Sequence, residues 1–172
     1  MKNRLFLFSI IMTQLLITGC SSKELKLNDF IGKEYRTLNE FEYFKDFKEI
    51  GGNIISLPDN DDYCFSTYKK DSLLLVTYEI TTKRIEGKAI FKLLDILEIK
   101  GLKSNQNVNH STCRKDGEYD PEIIVIYEVE EPSVEICKNI LKAWKANRKT
   151  GRIEAIDITG LDCINQGFET AL

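Results

Sequence analysis

One histidine, His110, and five cysteines are the side chains here best equipped for metal, redox or covalent chemistry. His110 sits in the polar stretch 101–121 (GLKSNQNVNHSTCRKDGEYDP). A metal site needs partner ligands, and there is no second imidazole. Serines and aspartates for a Ser-His-Asp triad are present, but no GxSxG elbow places one. His110 therefore reads as a solvated loop residue. Asp59-Asn60-Asp61-Asp62 offers the oxygen ligands calcium takes, without the glycine and distal glutamate of an EF-hand loop, and reads as an acidic turn. No GxxxxGK[ST] phosphate cradle accompanies Gly51-Gly52. No local pattern selects a carboxylate pair for glycoside cleavage. The expectation is a domain without catalytic activity or cofactor. Two rivals are a hydrolase using acids of the 101–121 loop, with His110 and Asp120 as its test residues, and a carrier of a small apolar ligand.

The N-terminus carries the strongest local pattern. Lys2 and Arg4 precede an apolar run, Leu5 to Ile17, that is shorter than the roughly 20 residues a spanning helix needs. It reads as an export signal. The run ends in Ile17-Thr18-Gly19-Cys20, which resembles the lipobox of bacterial lipoproteins. The resemblance implies cleavage before Cys20, a thioether diacylglycerol on its sulfur, and a further acyl chain on the new amino terminus. Two or three acyl chains hold a protein to a bilayer where one chain alone binds marginally. Ser21 is similar to the sorting residue of outer-membrane lipoproteins. The resemblance thus implies a membrane-anchored protein in the periplasm, with the outer membrane favoured over the inner.

Removing residues 1–19 takes away Lys2 and Arg4. That leaves 22 basic against 27 acidic residues, a formal charge of −5. Nucleic acid demands clustered cations, so nucleic-acid binding is not expected. Four cysteines remain after Cys20: Cys64, Cys113, Cys137 and Cys163. An even count in an exported chain points to disulfides, and no pair has the CxxC spacing of a redox or zinc motif. Three connectivities are open. A hairpin over Ala143–Ile158, extended in register, would set Cys137 opposite Cys163 and leave Cys64 for Cys113.

The elements that must carry these residues follow from periodicity. Residues 20–29 read as a lipidated tether and 30–172 as one domain. From Thr37 to Ile50, Leu38, Phe41, Phe44, Phe47 and Ile50 recur every three positions, opened by a Thr37/Glu40 capping box and closed by Gly51-Gly52. This predicts a helix with one apolar stripe. Tyr63–Tyr68, Ser72–Thr81 and Lys88–Lys100 read as strands, with a helix as the alternative for the third. Glu122–Val129, apolar on both faces, reads as a central strand. Residues 101–121 read as one long irregular loop. Val134, Cys137, Ile140, Leu141 and Trp144 fit a helix capped by Ser133, whereas the later part reads as a hairpin turning at Lys149-Thr150-Gly151. The predicted class is α+β: an antiparallel sheet with one or two helices, stabilised by disulfides.

Trp144, Lys145 and Arg148 are candidates for a surface that binds a protein partner, because Trp and Arg anchor many interfaces. The competing reading makes Trp144 a core anchor and the cations its solvated rim. The strings Cys113–Gly117, Asp120–Glu122, Ala143–Asn147, Thr150–Arg152 and Cys163–Asn165 look similar to strings in short uncharacterised lipoproteins of Gram-negative bacteria. That resemblance covers the last third of the chain and implies no particular activity. The functional expectation is a lipid-anchored periplasmic domain that binds another protein, as an immunity or inhibitor protein or an envelope accessory.

Overall fold

The β-branched and aromatic runs of the middle chain form long strands, and nothing described is an α-helix. The computed structural model describes residues 25–55, 62–129 and 134–165. Cys20, the apolar run before it, Asp59–Asp61 and Ser133 lie outside them. Among the described residues no helix is long and apolar enough to cross a membrane. Strands β1 (Glu34–Tyr35), β2 (Lys48–Ile54), β3 (Tyr63–Lys70), β4 (Leu73–Ile85) and β5 (Lys88–Lys100) form a first sheet, in the order β1-β5-β4-β3-β2. Then follow β6 (Gln106–His110), β7 (Cys113–Lys115), β8 (Glu118–Tyr119), β9 (Ile123–Glu128) and β10 (Ile136–Cys137). Last come β11 (Ile140–Asn147), β12 (Arg152–Ile156) and β13 (Leu161–Ile164). These make a second sheet, β12-β11-β9-β6, and a third, β10-β13-β7-β8. Every strand pair is antiparallel. The architecture is all-β, which corrects the α+β expectation.

The three sheets stack. Phe65, Val76 and Tyr78 of the first meet Ile124, Ile126 and Ala146 of the second in one core. The opposite side chains of β9, Ile123, Val125 and Tyr127, meet Cys113, Cys137, Leu161 and Cys163 of the third in another. Strand β9 is thus buried on both faces between β11 and β6, as its two apolar faces predict. The outer face of the first sheet is covered by the N-terminal segment. There Phe30, Tyr35, Leu38, Phe44 and Phe47 pack on Tyr68, Leu75 and Leu93. The covering begins at a 3-10 turn, Leu27–Phe30, inside the stretch expected to be tether.

Both expected helices are corrected. Residues 37–50 form two 3-10 turns, Leu38–Glu40 and Glu42–Phe44, and then enter β2. The physical reason was in the spacing. A strict repeat of three matches the 3.0 residues per turn of a 3-10 helix, in which positions i and i+3 eclipse, better than the 3.6 of an α-helix. The capping box survives, with Glu40 Oε1 accepting from the Thr37 N–H at 3.2 Å. In 134–147, strands β10 and β11 replace the helix because β9 pairs with Ile140 and Lys142–Lys145 of β11 on one side and β12 with Ala143–Asn147 on the other. The hairpin reading of β11 and β12 holds, with Gly151 at φ +67° in its turn. Glu86-Gly87, both at positive φ, joins β4 to β5 as a two-residue turn of the kind that matches strand twist. The 101–121 stretch contains β6, β7 and β8, so it is not one irregular loop.

Candidate functional site

Most of the residues expected to do chemistry hold the fold instead. His110 is buried, not solvated. Its Nε2 lies 3.0 Å from Thr67 Oγ1 and its Nδ1 3.1 Å from Ser111 Oγ. Phe65 packs edge-on against the ring. Burial lowers its pKa to about 4, so the imidazole is neutral and bridges two sheets through hydroxyls. Asp120 Oδ2 accepts from Lys145 Nζ at 2.6 Å, and its Oδ1 accepts from the Glu122 N–H. Asp62, the described end of the acidic turn, pairs with Arg84 at 2.7 Å. Among the described residues no three His, Cys, Asp or Glu side chains converge as a metal site requires.

The three candidate interface residues do not form one surface. Trp144 packs into the core between the first two sheets. Lys145 alternates to the opposite face of β11. Lys145 and Arg148 meet at Glu122, which forms an ion pair with each and accepts a hydrogen bond from Arg148. Arg148 also donates to the Ile55 carbonyl at 2.8 Å and lies over the Tyr63 ring, 4.8 Å from its centroid. Lys145 and Arg148 line an open groove of about 440 Å3 with Glu122, Asn147 and Glu154. Of its charges, Lys145, Arg148 and Glu122 already pair with one another.

The disulfide is Cys113–Cys163, and this corrects the favoured pairing of Cys137 with Cys163 and Cys64 with Cys113. Beside it Arg114 grips Asp162 with two bonds, Nε to Oδ1 at 2.7 Å and a terminal nitrogen to Oδ2 at 3.0 Å. Lys115 donates to the carbonyls of Asp157 and Thr159. Gly160 approaches Asp116 so closely that a Cβ there would fall 2.0 Å from Oδ1. The distinctive strings around Cys113 and Cys163 are therefore two halves of one staple.

Sequence reasoning missed a different place, on the outer face of the first sheet beyond the N-terminal cover. Glu79 of β4 is 1% exposed there. Thr77 Oγ1 donates to its Oε1, and Ser66 Oγ at 3.4 Å and Cys64 Sγ at 3.7 Å donate to its Oε2. The Tyr35 hydroxyl makes no hydrogen bond of standard geometry, yet lies near enough that each group shifts the other's ionisation. Burial raises the Glu79 pKa and outweighs these hydrogen bonds. Burial, with Glu79 behind it, also pushes the Cys64 thiol far above its ordinary range. Cys64 is thus no thiolate nucleophile near neutral pH.

Cys64 and Ser66 floor a recess of about 240 Å3 walled by Ile54, Phe65, Ala89 and Phe91, with Glu49 and Arg84 also lining it. Gly52 keeps it open, since a Cβ there would crowd the Phe65 carbonyl at 3.1 Å and Ser66 Oγ at 3.4 Å. Along the recess runs β2, exposed at all seven residues. Ile50 is 52% and Ile54 67% exposed. Among the described residues β2 pairs only with β3. The Ile55 N–H bonds to the Tyr63 carbonyl, so by antiparallel alternation the backbone groups of Gly52 and Ile54 point away from β3. The only sequence signal was Gly51-Gly52, which reads as a helix stop as readily as a bare strand edge.

Comparison of the chain with protein-family models, with curated proteins and with solved structures finds no match.

Proposed function

We propose that this chain is a lipid-anchored envelope protein whose β domain binds a partner protein by accepting an extended segment along the outer edge of β2. The observation that carries the reading is that edge: Lys48 to Ile54, all exposed, with outward backbone groups at Gly52 and Ile54. Open edges are commonly blunted by charges and bulges. Here Lys48 and a bulge between Glu49 and Gly51 guard only the first half. An added strand gains affinity from main-chain hydrogen bonds and specificity from pockets for alternate side chains, and the recess beside Gly52 supplies one such pocket. Ile50 and Ile54 offer it apolar contact. An immunity or inhibitor protein and an envelope accessory protein would both use such an edge. The anchor is supported by the Leu5–Ile17 run and by Ile17-Thr18-Gly19-Cys20.

Two measurements test the two halves separately. Cells fed radioactive palmitate should label the wild-type chain and not Cys20→Ser. Equal labelling of both, or of neither, would overturn the anchor. Crosslinking intact cells and purifying the chain should recover an envelope partner whose yield depends on β2. In Ile54→Pro the outward donor is lost while the bonds to β3 are kept, the edge position that tolerates proline. Binding of the recovered partner should weaken at least about tenfold, or ~1.4 kcal/mol, with the melting temperature little changed. Undiminished binding by Ile54→Pro sinks the strand-addition reading.

A further inference from the structure

Three cysteines lie in a row across the third sheet. Cys163 on β13 stands directly opposite Cys113 on β7 and directly opposite Cys137 on β10. Directly opposed residues of neighbouring strands share a face, and all three sulfur-bearing residues belong to one buried cluster. The two pairs differ in kind. The Ile164 N–H bonds to the Thr112 carbonyl, which makes Cys113/Cys163 a non-hydrogen-bonded pair, the closer of the two types. That is the bridged pair, with Cα atoms 3.9 Å apart. The Asn165 N–H bonds to the Glu135 carbonyl, which makes Cys137/Cys163, two residues on, a hydrogen-bonded pair. Such pairs hold Cα atoms about 5.5 Å apart, within the roughly 4.4–6.8 Å that most disulfides span.

We propose that Cys137 is an exchange thiol for the Cys113–Cys163 disulfide, so that the third sheet has two alternative bridges sharing Cys163. Cys137 gives its thiol proton to water, and its thiolate attacks Cys163 Sγ. The Cys137–Cys163 bond forms as the Cys163–Cys113 bond breaks, and Cys113 leaves as a thiolate that takes up a proton. One disulfide and one thiol stand on each side, so no oxidant or reductant is consumed. The Cys137 thiol lies beside Tyr127 at a crevice of about 10 Å3 that Ile136 and Lys138 also line, room for roughly one water. A proton can leave through it, and a bulky thiol reagent cannot enter. Exchange within the sheet is therefore favoured over attack from outside. In the first state the bridge ties β13 to β7. In the second it ties β13 to β10, and β7 is held by its backbone ladder, the Arg114–Asp162 pair and the Lys115 bonds to the Asp157 and Thr159 carbonyls, with no covalent tie.

The test is disulfide mapping of the full chain, purified without reductant, held at pH about 8.5 where thiolates form, then alkylated, digested and analysed by mass spectrometry. Wild type should develop a Cys137–Cys163 peptide and alkylated Cys113 in at least about a tenth of molecules, an offset below ~1.4 kcal/mol. Cys137→Ser should keep Cys113 unalkylated over the same time. Oxidised Cys113→Ser should carry the Cys137–Cys163 bridge in most molecules. A wild-type time course in which Cys113 never becomes alkylated overturns the proposal, whether or not Cys113→Ser folds.

Discussion

Phe44→Ala should lower the melting temperature by about 10 °C, the largest loss expected from a single side chain of the N-terminal segment. The ring is fully buried. It meets Phe30 at 4.7 Å, Tyr43 at 4.9 Å and Phe47 at 5.9 Å between centroids, and its cluster rests on Tyr68, Leu75 and Leu93 of the first sheet. Truncating a buried Phe costs about 3–5 kcal/mol, and each kcal/mol moves the midpoint of a chain this size by about 2–4 °C. The β1–β5 ladder and the backbone bonds of Gly32 and Lys33 to Leu93 tie the start of the cover to the sheet, and Asn39 Nδ2 ties the two turns together by donating to the Phe44, Lys45 and Phe47 carbonyls. The ring stack supplies the apolar contact between those turns and the sheet. Thermal unfolding followed by circular dichroism measures the loss. A midpoint within about 2 °C of wild type would mean that the cover contributes little to the domain's stability.

Acid should destabilise the domain through His110, and His110→Gln should flatten that loss. Burial holds the folded pKa near 4, against 6.5 for an unburied histidine. Between those values the unfolded chain binds a proton that the folded chain refuses. Stability is thus intact above pH 6.5, falls as pH drops, and is fully lost from this source below about pH 4. Each pKa unit is worth about 1.4 kcal/mol, so the difference approaches ~3 kcal/mol. Glu79 has the opposite sign. Its folded pKa is raised by burial from 4.5, so it costs nothing below pH 4.5 and destabilises increasingly above it. Glu79→Gln should raise stability at neutral pH, and the gain should vanish below pH 4.5. Urea unfolding from pH 4 to 8 reads both slopes. Substitutions that merely disturb packing would shift each curve by a constant, and parallel curves would refute both assignments.

Much of the sheet was legible from local pattern. Tyr63–Lys70, Leu73–Ile85, Lys88–Lys100 and Ile123–Glu128 are rich in β-branched and aromatic residues, which suit a pleated surface whatever their partners. The turn at Lys149-Thr150-Gly151 was legible because Gly151 tolerates positive φ. The 37–50 segment was misread because an apolar repeat of three lies near the α-helical period, and its true state depended on the sheet beneath it. The short strands Gln106–His110 and Cys113–Lys115 were invisible because they are polar and take their place in a sheet from β9 and β13, far along the chain.

The candidate site was less legible than the fold. Nothing near Glu79 in sequence announces burial, and β2 carries no conspicuous motif. Cys137 does stand opposite Cys163, but in the third sheet and not by extension of the β11–β12 hairpin. The bonded partner was not legible, since β7 enters from the other side of β13. What the amino-acid order settled alone is what neighbours a few residues apart can settle: alternation, turns, and the two-faced apolar character of β9. What tertiary structure decided is every property shared by distant residues: His110 against Thr67, Cys113 against Cys163, and the edge of β2 left open among the described residues. Local conformation depends on sterics within a turn or two of chain. Burial and pairing depend on which surfaces meet, and no single segment contains that information.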